Sequence, residues 1–380
     1  MSTWAILALA FGVLVAYLNG ANDVSKGIAT LVGSGVTDYR RAILWGTLWT
    51  GVGGLASSLL SSAMIVTFGS GMLAKHSAPT LAGTLAVLLS VAACVGMATL
   101  FGLPVSTTHA LVGAIAGVYS FHYGVSGVNW GILGGKVVLP LLLSPVLALA
   151  LTVALLGAWR LITIRFRKAP ECVCLELEPV PVLSSLLVTE NILAFSPASK
   201  ISIAVDSEEA CTTERASPLR LTSTQLHWLT SAATSCARGL NDTPKIVALV
   251  LFAVAFSTGS PGHKPLVFAA VTLGMVAGSW TAGRKVTTVL AEKVTPMDHQ
   301  EGFIANLVTA ALVGPGAAMG LPMSTTHVSS GAIIGVGIAK RAGMNWGSVQ
   351  RILLAWIITV PLAAVLGVMA YMGLSFVLKS

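Results

Sequence analysis

Two Asn-Asp pairs, Asn22-Asp23 and Asn241-Asp242, stand inside apolar stretches, and each is followed by a Ser-Thr-Thr-His run, at Ser106 and at Ser324. Asp23 to Ser106 is 83 positions and Asp242 to Ser324 is 82, so carboxylate and hydroxyl clusters repeat together. A carboxylate in hydrocarbon is costly and marks an ion or substrate path. Gly20, Gly239 and Pro244 weaken the helix around the two pairs, and a broken span of this kind is tolerated where its freed carbonyls line a cavity. Carbonyls, an Asn amide and a carboxylate make a hard-cation site. Asn22, Asp23, Asn241 and Asp242 are therefore the candidate coupling-cation residues, with sodium the metal that Asp23 and Asp242 would take, or a proton in its place. Helix capping by Asn22 or Asp23 is the plainer alternative.

Gly-Leu-Pro precedes both hydroxyl runs (Gly102 and Gly320), so Ser106, Thr107, Thr108 and Ser324, Thr325, Thr326 open helices. A helix start offers unpaired N–H groups at the positive end of the dipole, which makes an anion site. Three hydroxyls per copy add directional donors without adding charge. Two facing helix starts, with Asp23 and Asp242, could surround a tetrahedral oxyanion. Capping and back-bonding explain one Ser, but three consecutive hydroxyls, twice, after the same breaker favour binding. His109 and His327 end the runs as proton relays or as hydrogen-bonding struts. Lys26 and Lys245, each three positions after the Asp, neutralise it, draw an anion in, or snorkel toward an interface. Arg238, four before Asp242, reads as a local partner or a cytoplasmic-end anchor.

Electrostatics links the two clusters. An isolated ion in a medium of low dielectric costs tens of kcal/mol by Born estimates, so neither carboxylate nor divalent oxyanion is stable there alone. A co-bound cation resolves both penalties: two unit charges about 4 Å apart attract by roughly 4 kcal/mol at an effective dielectric of about 20. That attraction is the physical origin of obligatory symport.

The elements that must position these residues are membrane helices. The 380 residues are 55% hydrophobic and 9% charged, against roughly a quarter charged in soluble domains. The long Ala/Leu/Val/Gly runs lack the ten-residue alternation of a membrane barrel. Spans are expected over 4–35, 42–68, 81–101, 106–121 and 130–162, and again over 226–257, 266–282, 303–319, 324–338 and 346–378: two repeats of five, about ten crossings in up to twelve helical segments. The first is expected as a retained helix rather than a signal peptide. Gly113 and Gly331, Asn129 and Asn345, and Pro145 and Pro361 keep the same offsets in each copy. Five crossings per half invert the second copy. Basic residues accumulate in cytoplasmic loops. With both termini outside, Arg40, Arg41, Arg160, Arg165, Arg167, Lys168, Arg284, Lys285, Lys340 and Arg341 fall inside, and only Lys75, Lys264 and Lys379 outside. The net charge of +8 is thus accounted for by topology, and no nucleic-acid partner is implied.

The chain divides into a first membrane repeat (1–162), a cytoplasmic linker (163–222) and an inverted second repeat (223–380). The stretch from Arg165 to Arg220 holds eight of the fourteen acidic residues; its apolar patches at 182–188 and 201–205 suit either a small β-rich insert or a disordered connector. Five scattered cysteines, Cys94, Cys172, Cys174, Cys211 and Cys236, argue against a disulfide framework, and Cys172 and Cys174 read as ordinary loop thiols.

With Gly20-Ala21-Asn22-Asp23-Val24, Gly239-Leu240-Asn241-Asp242-Thr243 and the paired Gly-Leu-Pro-x-Ser-Thr-Thr-His segments, the chain resembles the inorganic phosphate transporter (PiT) family. The resemblance covers both repeats but not the linker. It implies an all-α polytopic fold of inverted repeats with discontinuous helices, no enzymatic activity or cofactor, and uptake of inorganic phosphate coupled to Na+ or H+ across a cytoplasmic membrane, the inner one in a two-membrane cell. It also implies a homodimer in the lipid bilayer, with the Asn-Asp pairs in the cation and phosphate region and the Ser and Thr residues on phosphate. Lys26 and Thr243-Pro244-Lys245 depart from the family pattern, where small and apolar residues are typical, and leave the coupling ion open. Some members carry sulfate, or phosphate as a neutral metal complex. The acidic site favours phosphate, since HPO4 can donate its proton to a carboxylate. An intramembrane hydrolase built from Ser106, His109 and Asp23 is disfavoured because an enzyme needs one such set, and a passive anion channel because no ring of Arg or Lys lines a pore.

Overall fold

Ser2 starts the first helix by accepting from the Ala5 N–H, and α1 (Thr3–Asp23) follows. The computed structural model describes residues 2–166, 172–179, 199–206, 219–259, 263–341 and 343–378. A one-residue interruption at Val24 separates α1 from α2 (Ser25–Gly33). Val24 keeps right-handed helical angles (φ −57°, ψ −31°), so the pair forms one apolar run of 31 residues. The interruption frees the Asn22 carbonyl, to which Ser25 Oγ (2.9 Å) and Lys26 Nζ (2.8 Å) donate.

The first repeat continues with α3 (Tyr39–Leu60), the short α4 (Ser62–Val66), α5 (Leu81–Leu100), α6 (Thr107–Tyr123), α7 (Trp130–Ile132) and α8 (Leu139–Phe166). The second comprises α9 (Ser223–Thr258), α10 (Lys264–Ala282), α11 (Arg284–Glu292), α12 (His299–Ala318), α13 (Thr325–Lys340) and α14 (Trp346–Val377). The unwound backbone expected at Asn241-Asp242 is absent: α9 runs through it as one 36-residue helix with Pro244 inside. Proline removes one donor and leaves the carbonyl four residues back without its partner. Ser61 Oγ donates to that carbonyl, Leu240 O, at 3.2 Å. In both repeats side-chain donors satisfy a carbonyl that the helix leaves open.

Eight helices among the described residues are long and apolar enough to cross a bilayer. The two others expected as crossings, α6 and α13, have 17 and 16 residues, at the lower end of the roughly 17–25 that a span uses. Both start at buried serines, Ser106 and Ser324. The outward faces of α8 and α14 carry Leu142, Leu143, Val146, Ile357, Val365 and Met369 exposed, the side chains that hydrocarbon accepts.

The repeats interlock reciprocally. Gly53 of α3 packs against the carbonyl of Cys236, six residues before Asp242, and Gly278 of α10 packs against the carbonyl of Tyr17, six before Asp23. Gly113 of α6 meets the Val360 carbonyl on α14, and Gly331 of α13 meets the Pro145 carbonyl on α8. Apolar burial does not drive helix association in lipid, so small residues that admit a neighbouring backbone carry it.

By compactness, Met1–Leu156 with His227–Ser380 forms one unit and Gly157–Leu226 a second. The second contains a three-stranded antiparallel sheet in the order β2-β1-β3, with β1 Cys172–Pro179, β2 Ser199–Asp206 and β3 Leu219–Thr222. The patch at 201–205 is therefore a strand, as the β-rich reading of the linker expects, while that at 182–188 lies outside the described residues. Cys172, read from the sequence as a loop thiol, is disulfide-bonded.

Gly53→Val and Gly278→Val each force a side chain into a facing backbone, which costs about 1–3 kcal/mol as overpacking. Thermal unfolding in detergent is expected to show the two lowering the melting temperature by similar amounts, because their contacts are equivalent.

Candidate functional site

The Gly-Leu-Pro breakers are helix C-caps. Gly102 (φ +68°) and Gly320 (φ +72°) take the left-handed conformation, and the next N–H folds back, Leu103 to Ala98 O at 2.8 Å and Leu321 to Gly316 O at 2.9 Å. Glycine is the residue that accepts this turn without strain. Two residues after each proline the next helix begins, with Ser106 Oγ accepting from the His109 N–H and Ser324 Oγ from the His327 N–H. The capping role weighed for these serines is real, and the serines also meet across the repeats: Ser324 Oγ donates to Ser106 Oγ at 2.9 Å.

The two helix starts face each other. Thr326 Oγ1 donates to Val105 O at 2.8 Å, from one turn to the other. Asn22 Nδ2 donates to Leu103 O and Thr99 Oγ1, and its Oδ1 accepts from the Val105 N–H. In the second repeat Asn241 Nδ2 donates to Met323 O and to Asp242 Oδ1, both at 2.8 Å. Each Asn thus fastens its span to the loop before its own Ser-Thr-Thr run. Asp23, Asp242, Asn22, Asn241, Ser106, Thr107, Thr108, Ser324, Thr325 and Thr326 are all buried.

The lysines do not snorkel. Lys26 Nζ reaches Asp23 Oδ1 (2.7 Å), Asn22 O (2.8 Å) and Asn22 Oδ1 (2.9 Å). Lys245 Nζ reaches Thr108 Oγ1 (2.7 Å), Asp242 Oδ1 (3.1 Å) and Met323 O (3.2 Å). Lys26 is 0% exposed and Lys245 1%, so these ion pairs lie in the interior.

Two residues at the centre lay outside the sequence-based candidates. Asn19 Nδ2 contacts Asp23 Oδ2 (3.0 Å), Asp242 Oδ2 (3.3 Å) and Thr107 Oγ1 (3.0 Å), so one amide ties both carboxylates to a helix start. Arg238, read as a local partner or an end anchor, is 1% exposed and within electrostatic reach of both Asp23 and Asp242. Its Nη2 donates to Thr50 Oγ1 (2.7 Å) and Ser279 Oγ (3.1 Å), while Nε and Nη1 have no partner. Asn19 and Arg238 each stand four residues before their aspartate; polar side chains on the aspartate's face of a span were the available signal. The channel reading was set aside for want of a ring of Arg or Lys along a pore; among the described residues Lys26, Lys245 and Arg238 are buried, the two lysines paired with carboxylates.

His109 and His327 stack, with centroids 4.3 Å apart and planes 3° from parallel, and His327 also lies on Trp356 at 3.7 Å. His327 Nδ1 is 2.7 Å from Ser324 Oγ. Both rings line an apolar cavity of about 710 Å³ bounded by Pro145, Leu353 and Pro361 among others. Asp23 is bound instead to Lys26 and Asn19, so no Ser-His-Asp triad assembles.

Apolar spans packed around a buried ionic cluster, with two helix starts nose to nose, define an integral-membrane protein with a polar centre. The model of the phosphate transporter family matches residues 19–367, and the chain belongs to that family. A Bacillus subtilis protein named as a probable low-affinity inorganic phosphate transporter is 27% identical over 377 residues, covering 98% of this chain and 96% of the relative. One of Rhizobium meliloti with the same name is 27% identical over 379 residues, covering 95% and 93%. A solved structure titled as the sodium-dependent phosphate transporter superposes with a TM-score of 0.77 at 23% identity, over 99% of this chain and 100% of that one. At that identity the superposition speaks for the fold.

Removing one partner of a buried ion pair costs about 3–5 kcal/mol because it strands the other charge. Lys26→Met is therefore expected to destabilise the protein in detergent, and Asp23→Asn combined with Lys26→Met to recover most of the loss in a double-mutant cycle of melting temperatures.

Proposed function

We propose that this protein carries inorganic phosphate across the cytoplasmic membrane by alternating access, coupled to a cation gradient, Na+ or H+. The observation that carries this reading is the meeting of the two helix starts at the Ser324–Ser106 hydrogen bond, with both Asn-Asp pairs fastened to the same two turns. Helix starts direct N–H groups and positive dipole ends at one place, and hydroxyls of Ser106, Thr107, Thr108, Ser324, Thr325 and Thr326 surround it. Asp23 and Asp242 complete the substrate set, and with Asn22 and Asn241 they form the cation region. His109 and His327 act as stacked struts beneath it. Both termini outside, a cytoplasmic linker and a homodimer in the bilayer belong to the same reading.

Phosphate is favoured over sulfate by the kinds of polar atoms at the centre. Arg238 Nε and Nη1 are donors without partners, and Asn19 Oδ1 and Asn241 Oδ1 are acceptors without partners. A partly protonated oxyanion both accepts and donates, whereas sulfate only accepts. A buried acceptor left unsatisfied costs about 1–3 kcal/mol, enough for roughly tenfold discrimination.

Purified protein in proteoliposomes is expected to take up labelled phosphate under an imposed cation gradient, with arsenate competing better than sulfate. Asp23→Asn and Asp242→Asn should each abolish uptake while the protein still folds by gel filtration. Absence of gradient-driven uptake of any of the three oxyanions, or wild-type rates in both variants, would refute the assignment.

A further inference from the structure

The positions where a carrier of this kind would hold a mobile coupling cation are filled by the chain's own ammonium groups. Lys26 Nζ is held by a carboxylate oxygen, a backbone carbonyl and an amide oxygen, at 2.7, 2.8 and 2.9 Å. Lys245 Nζ is held by a hydroxyl, a carboxylate oxygen and a backbone carbonyl, at 2.7, 3.1 and 3.2 Å. These are the hard oxygen ligands that a group-one or group-two cation takes. An ammonium has three N–H bonds, and each lysine here has three acceptors, so each site is saturated.

Charge points the same way. Lys26, Lys245 and Arg238 bring three positive charges and Asp23 and Asp242 two negative ones, so the cluster carries a formal +1. A site whose carboxylates are uncompensated needs an incoming cation before an anion can enter. Here the surplus is already positive, and the unpartnered oxygens Asn19 Oδ1 and Asn241 Oδ1 are neutral amides.

We infer that Lys26 and Lys245 are resident replacements for coupling sodium ions, so that this protein binds and moves its oxyanion without sodium. The inference rests on the phosphate-carrier reading and narrows it: the proton gradient is left as the coupling drive. The lysines act as specificity-determining residues for the coupling ion.

Two measurements on the full-length protein test this. In proteoliposomes at a fixed pH gradient, labelled phosphate uptake is expected to be unchanged when choline replaces sodium, with no labelled sodium entering alongside phosphate. A loss of about tenfold or more in choline, or co-entry of sodium, overturns the inference while leaving the phosphate reading intact. Failure to move phosphate in either medium overturns both. Independently of transport, thermal unfolding of the wild type is expected to be the same in sodium and choline, while Lys26→Ala and Lys245→Ala each become more stable in sodium, because a ligand that binds the native state raises its stability. Sodium-specific stabilisation of the wild type, or folded variants indifferent to sodium, counts against the inference. If neither variant folds, the wild-type comparisons decide alone.

Discussion

The structure depends on one constraint: a carboxylate held inside a membrane protein needs a cation at hydrogen-bond distance, as Asp23 and Asp242 have. At about 3 Å, two unit charges attract by roughly 5 kcal/mol at an effective dielectric of about 20, while each lone ion forfeits several kcal/mol of hydration. Asp23 and Asp242 are tolerable because Lys26 and Lys245 lie one helical turn along the same segments. The backbone is arranged around this need. The interruption after Asp23 frees a carbonyl for the Lys26 ammonium, and the turn before Ser324 presents the Met323 carbonyl to Lys245. Asn22 and Asn241 hold those turns in place, so local chain geometry and buried charge are solved together.

Much of this was legible in the sequence because charge is rare in it. When most residues are apolar, the few polar ones inside spans announce themselves, and duplication separates signal from accident. The Asn-Asp pairs and the Ser-Thr-Thr runs were found this way, as was the facing of two helix starts. Other features depend on distances that no spacing encodes. Whether Lys26 turns toward Asp23 or toward an interface is decided by what surrounds its stem, and four methylenes reach either way. Arg238 reads either as a local partner or as a cytoplasmic-end anchor, and its burial decides for the interior; the equivalent position in the first repeat is the neutral Asn19. Backbone continuity at Pro244 was also hidden, since it depends on Ser61 supplying a donor from 179 residues away in sequence. In the linker, the apolar patch at 201–205 suited either a strand or a disordered connector, and the bonded state of Cys172 could not be read from scattered cysteines.

The approximate symmetry of the two halves makes its exceptions informative. Paired glycines, paired breakers and paired lysines occupy corresponding places, which is what a duplicated scaffold requires. Asn19 and Arg238 do not match chemically. One spans both carboxylates and a threonine, and the other contributes the guanidinium that tips the cluster positive. A strictly symmetric centre would have offered two amides or two guanidiniums; the mixed pair gives the cluster a direction, with anion-attracting character concentrated on the α9 side.

The glycine contacts between α6 and α14 and between α13 and α8 bear on which parts can travel together. Each hydroxyl-bearing helix leans, backbone to backbone, on the closing helix of the opposite half of the chain. Any rearrangement that shifts Ser106 relative to Asp23 must therefore drag a piece of the other half with it. The seams along which such a protein could flex cut across the order of the gene.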